Sequence, residues 1–139
     1  MQIIGGASRG QMLQLMFSAK NLSHNVSDQQ MHTIAVDAEI FGYTAPWRGR
    51  VVAIAYALHG GISAGTLTVG ATFDGAEDAD TTLTIGAGAE RGYYRVPRWR
   101  TRFEPGALLG VEYTTSQSFS GNSTDLLVSL YVVYDIGDI

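Results

Sequence analysis

Three histidines, an acidic run and a row of arginines are the residues of this chain with chemistry to offer. His24, His32 and His59 stand far apart in the sequence, and none has a partner at the spacing a bound metal needs. They read as ordinary surface or core histidines. The chain has no cysteine, which removes disulfides, thiol catalysis and thiolate metal sites together. There is no Gly-x-Ser-x-Gly elbow, no phosphate loop and no His-Glu-x-x-His. "GGISAG", Gly60 to Gly65, has the glycines of a nucleotide loop. It lacks the Lys-Ser/Thr and the following helix that would aim backbone amides at phosphate, so it reads as a hairpin connection. No catalytic residue, metal or cofactor is expected, and the chain is read as not an enzyme.

The acidic run "DGAEDAD" holds Asp74, Glu77, Asp78 and Asp80. Clustered carboxylates at a turn can hold Ca²⁺, which takes six to eight oxygens, but this spacing does not fit an EF-hand loop. A solvated turn, or an acidic surface that meets a basic stripe on a neighbour, is the expectation. A basic stripe is present in the same chain. Five of the eight arginines, Arg91, Arg95, Arg98, Arg100 and Arg102, fall within twelve residues. If "RVPRWRTRF" is extended, Arg98, Arg100 and Arg102 share one face, while Trp99 and Phe103 take the other and turn to the core. Three like charges on one face repel and need solvent, carboxylates or phosphate to offset them. Salt bridges to another protein are favoured over a merely solvated stripe. Nucleic acid comes last, because the aromatics point away from the arginines.

The elements that must carry these residues are strands. "RVVAIAYALHGG" places Val52, Ile54, Tyr56 and Leu58 on one face and Val51, Ala53, Ala55 and Ala57 on the other. "GTLTVGATFDG" turns Leu67, Val69, Ala71 and Phe73 inward, and "TTLTIGAG" does the same with Leu83 and Ile85. "GALLGVEYTTS" alternates Leu109, Val111 and Tyr113 against Gly110, Glu112 and Thr114. "DLLVSLYVVYDI" sets Leu126, Val128, Leu130, Val132 and Tyr134 on one face. Alternation at intervals of roughly ten residues, broken by Gly and Asp turns, is the pattern of an antiparallel sandwich or barrel. The segment 1–46 reads as an N-terminal arm with one or two strands. In it Leu13, Leu15 and Phe17 alternate with Gln14 and Met16, Ile34 and Val36 share a face with His32, and Ser27 to Met31 could form a short helix. Residues 47–139 read as the sandwich itself.

Two strands are apolar on both faces. The last carries Leu127, Tyr131 and Val133 opposite its core face, and the Val51 strand carries Ala53, Ala55 and Ala57 there. A strand with one solvated face normally alternates apolar with polar. A second layer is therefore expected, supplied by the N-terminal segment or by another subunit. A length of 139 residues suits one domain with a real core. With 45% apolar and 16% charged residues the chain is not disordered. The net charge of −4 argues against a general nucleic-acid binder. No basic-then-apolar leader and no run of about 18 apolar residues stands in the sequence, so neither secretion by the standard route nor a membrane partner is expected.

From Arg50 to Tyr134 the chain resembles the trimeric jelly-roll modules of bacteriophage virion proteins, which have a tumour-necrosis-factor-like topology. The residues that carry the resemblance are "GRVVAIAYAL", "AGTLTVGATFDG", "TLTIGAGAERGYYRV", "RFEPGALLGVEYTTS" and "STDLLVSLYVVYDI". Phe103, Gly106, Leu109 and Val111 match a Phe-x-x-Gly-x-x-Leu/Ile-x-Val strand, and Asp125 opens the last one. The resemblance implies an all-β jelly-roll sandwich that forms a homotrimer. It also implies a place on the virion, as a capsid decoration (cement) protein bound to major capsid protein subunits, without nucleic acid or membrane. On this reading Ala53, Ala55, Ala57, Leu127, Tyr131 and Val133 form the subunit interface, and Arg98, Arg100 and Arg102 make polar contacts with neighbours. A tail-fibre or receptor-binding tip is the alternative. Tyr93, Tyr94 and Trp99 are then the aromatics available for sugar, although core packing is expected for at least two of them. No stalk is present, a departure from the usual fibre tip.

Overall fold

The computed structural model describes residues 12–34, 40–97, 100–121 and 123–135. In chain order the strands are β1 (Met12–Ala19), β2 (Gln29–Gln30), β3 (His32–Thr33), β4 (Tyr43–Thr44), β5 (Gly49–His59), β6 (Ile62–Ala64) and β7 (Leu67–Phe73). They continue as β8 (Ala76–Glu77), β9 (Leu83–Ile85), β10 (Arg91–Arg95), β11 (Arg102–Phe103), β12 (Leu108–Thr115), β13 (Ser120–Gly121) and β14 (Asp125–Tyr134). One 3₁₀ turn, Ala79–Thr81, stands between β8 and β9. The first sheet runs β10-β5-β14-β1-β3, with β11 also on β5. The second runs β2-β12-β7-β8, with β4 on β12 and β9 on β7. Successive long strands alternate between the sheets: β5 lies in the first, β7 in the second, β10 in the first, β12 in the second and β14 in the first. The antiparallel sandwich expected from the alternation is the fold.

The core forms where the inner faces meet. Phe17, Val51, Ile54, Val128, Leu130 and Val132 of the first sheet, with Leu67, Val69, Ala71, Leu109 and Val111 of the second, are fully buried. Each large aliphatic side chain removed from water in this way contributes about 1.5–3 kcal/mol. Phe103 is buried too, 5.9 Å from the ring centroids of both Phe73 and Tyr134. The turn after it needs Gly106, which stands at φ +91°.

Strict alternation fails at one point in β5. The β5–β14 pairing passes from Tyr131↔Ala53 to Val132↔Val51, so Val52 has no opposite residue. This bulge reverses the phase of the strand. Val51 therefore joins Ile54 in the core, rather than sharing a face with Ala53, Ala55 and Ala57. The region Ser27–Met31 also departs from expectation. Instead of a short helix it supplies β2, whose Gln29 and Gln30 pair with Tyr113 and Glu112. β1 does not lie across the apolar outer face of β14; it pairs beside it, from Met12↔Val133 to Ala19↔Leu126.

Candidate interaction surface

Residues directly opposite in an antiparallel pair point to the same side of a sheet. The registers therefore map the outer face of the first sheet row by row. Across β1, β14, β5 and β10 the rows read Ser18–Leu127–Ala57–Arg91, then Met16–Ser129–Ala55–Tyr93, then Gln14–Tyr131–Ala53–Arg95. A fourth row reads Met12–Val133–Arg50, continued by Arg102 of β11. Ala53, Ala55, Leu127, Tyr131 and Val133 are half-buried and Ala57 is exposed. The middle of the face is thus small and apolar, stitched by one hydrogen bond from Gln14 Nε2 to Ser129 Oγ at 3.0 Å. Its β10 margin is basic.

That margin exposes aromatics as well. Tyr93 is 69% exposed, with the Arg95 guanidinium 5.8 Å from its ring centroid. Tyr94, on the opposite side of β10, is 38% exposed. Core packing, expected for at least two of Tyr93, Tyr94 and Trp99, does not hold for these two, because β10 is the outermost strand of its sheet. Trp99 and Arg98 lie outside the described residues, as does Val36. Among the described residues no carboxylate pairs with Arg50, Arg91 or Arg95.

The extended arginine row is broken. Thr101 stands at φ +54°, a left-handed conformation rare for a β-branched residue, and its buried hydroxyl has no partner among the described residues. Arg100 and Arg102 therefore do not follow one continuous strand. Arg100 reaches Asp80 of the 3₁₀ turn at 3.2 Å, whereas Arg102 faces Arg50 across β11 and β5. Phe103 does turn to the core.

The outer face of the second sheet is acidic. Glu112 of β12 stands opposite Gly70 of β7, and Glu77 of β8 lies over that glycine. A Cβ on Gly70 would come within 2.6 Å of Glu77 Oε2, so the missing side chain is what lets the carboxylate lie down on the sheet. Asp28, just before β2, completes a group whose carboxylate oxygens lie within 4.8 Å of one another. Glu112 is 5% exposed and accepts a hydrogen bond from Gln30 Nε2 at 3.3 Å. Burial, with Asp28 and Glu77 adding their charge, pushes its pKa up to about 7. Sequence reading placed Glu77 with Asp74, Asp78 and Asp80; strand pairing instead joins it to two acids from distant segments. The available signal was Glu112 itself, a charged residue at an outward position of an otherwise apolar and Thr-rich strand. Asp74, Asp78 and Asp80 are engaged elsewhere: Asp74 Oδ1 accepts from the Leu108 amide of β12, Asp78 Oδ1 accepts from the Asp80 amide, and Asp80 pairs with Arg100.

The fold has counterparts among solved structures. A chain of the acidic stable capsid structure of Helicobacter pylori bacteriophage KHP30 aligns with a TM-score of 0.51 and 11% identity, covering 90% of this chain and 89% of that one. A chain of the cyanophage Pam1 capsid asymmetric unit aligns at 0.53 and 10% identity, covering 91% and 86%. The fold is a viral-capsid type of jelly roll. No protein-family profile and no curated protein sequence matches the chain. In this jelly roll the two outer sheet faces, one apolar with a basic margin and one acidic, are the surfaces on which function has to be sought.

Proposed function

We propose that this jelly roll is a non-enzymatic structural protein of a phage virion, one that assembles as a homotrimer and decorates the capsid. The observation that carries this reading is the outer face of the first sheet. Ala53, Ala55, Ala57, Leu127, Tyr131 and Val133 form an apolar strip that no described segment of the chain covers. Such a face on a small domain is what an assembling subunit buries. The setting is drawn from the fold, which is shared with chains of two phage capsid structures at nearly full coverage on both sides. On this reading the strip meets another copy, and Arg98, Arg100 and Arg102 make polar contacts with major capsid protein subunits. Several modest contacts per trimer add up when all three copies engage one shell.

The test is an image of the virion together with co-sedimentation. Hundreds of copies per particle, and purified protein that pellets with capsids, are expected. A few copies confined to the tail, or binding to host cells or glycans with none to capsids, would replace this reading with a receptor-binding tip.

A further inference from the structure

The sandwich separates its charges. Arg50, Arg91 and Arg95 lie on the outer face of the first sheet, and no carboxylate shares their three rows. Asp28, Glu77 and Glu112 crowd the outer face of the second sheet with no cation paired to them among the described residues. Each face lacks what the other holds. We propose that the first sheet's outer face docks against the acidic β8 side of a second copy of this chain, with Arg91 and Arg95 of one copy set over Glu77 and Asp28 of the next. This rests on reading the chain as an assembling subunit, and it adds which surface meets the apolar strip.

Three observations favour a second copy as the occupant. The complement in charge is present in the same chain, so every copy brings both halves. The strip between the arginines and β1 is apolar, which suits a folded protein surface better than a phosphate backbone. The mapped face, four strands at about 4.8 Å and four rows deep, spans roughly 500 Å², below the roughly 800 Å² per partner of a stable interface. A contact of that size is weak taken singly and is strengthened by closure. Such a contact is heterologous, since each copy uses two different surfaces, and it closes into a ring only if those surfaces are not back to back. They are not. The Arg100–Asp80 ion pair ties the β11 region of the first sheet to the turn after β8 of the second, so the basic and acidic margins border the same side of the sandwich.

The experiment uses two variants of the full chain, Arg91→Glu/Arg95→Glu and Glu77→Lys, each checked for native circular dichroism. Light scattering is followed from 1 to 100 µM. Wild type is expected to form trimers, and each variant alone to associate at least tenfold more weakly. Mixed, the two are expected to recover association, because each retains one intact half of the contact and the reversed charges of the two variants are opposite in sign. The pairing should weaken as salt rises. Wild type that stays monomeric throughout, a Glu77→Lys variant that still forms trimers, or a mixture with no complex would each overturn the proposal. Capsid co-sedimentation of the same samples is a separate readout. Protein that pellets with capsids without self-associating keeps the virion reading and loses this one, and the reverse result does the opposite.

Discussion

The two sheets present similar inner faces and opposite outer ones. Inward, both show mainly Val, Leu, Ile and Phe, alternating except at the β5 bulge, and most of those side chains are buried. Outward, the first sheet shows alanines, Leu127, Tyr131 and Val133 beside arginines, while the second shows Thr68, Thr72 and Thr114 around a carboxylate group. A sandwich needs only its inner faces to fold. The outer faces are free to vary, and in this protein they differ in both polarity and charge. The fold therefore lives in the inner positions, and whatever the protein binds is read from the outer ones.

The sharpest way to break this contrast is within a single strand. Ile54 and Ala57 both lie on β5, the first fully buried and the second exposed. Ile54→Ala leaves a cavity between the sheets and is expected to cost about 2–5 kcal/mol of stability by urea unfolding. Ala57→Glu stands opposite Arg91 on the outer face and is expected to change monomer stability by no more than about 0.5 kcal/mol, while light scattering shows weaker association. If Ala57→Glu unfolds the chain as readily as Ile54→Ala does, the outer face belongs to the core and the comparison fails.

The second sheet can be probed through Glu112, a deeply buried carboxyl. Glu112 faces Asp28 and Glu77, accepts from Gln30, and has its pKa raised to about 7 from a usual value of 4.5. The folded state therefore holds this proton more tightly than the unfolded chain does. Stability from this group is complete below about pH 4.5, falls as the pH rises, and is lost above about pH 7. Glu112→Gln keeps an oxygen for Gln30 to donate to and removes the charge. It should raise stability at pH 8 by on the order of 1–3 kcal/mol and have little effect at pH 4. Parallel curves of melting temperature against pH for the two proteins would mean that the carboxyl group is relieved in some other way.

Much of this architecture was legible because alternation is local. Each run of five or more residues carries its own period, and β7, β12 and β14 could be assigned to faces without knowing their neighbours. What escaped was set by pairing. The bulge at Val52 has no Gly or Pro to mark it, and it moves Val51 into the core through an offset that only the β14 register reveals. Tyr93 and Tyr94 are exposed because β10 has a neighbour on one side only, a matter of strand order. Thr101 breaks the arginine row with a backbone conformation that its residue type disfavours. The carboxylate group joins Asp28, Glu77 and Glu112 across two registers, so none of the three announces the others.

The smallest effect expected lies where the two faces come closest. Arg100 and Asp80 form their ion pair at 3.2 Å with side chains 60% and 43% exposed. Solvent and salt screen such a pair, so Arg100→Ala should cost no more than about 1 kcal/mol of stability, and less at 0.5 M salt than at 0.05 M. If Arg100 also touches a neighbour in the assembled particle, the same substitution should weaken capsid co-sedimentation well beyond this small loss of stability. The excess should shrink as salt is added. Equal small losses in both measurements would make Arg100 a local clasp of the turn after β8, and would leave polar contact with other subunits to the arginines of the β10 margin.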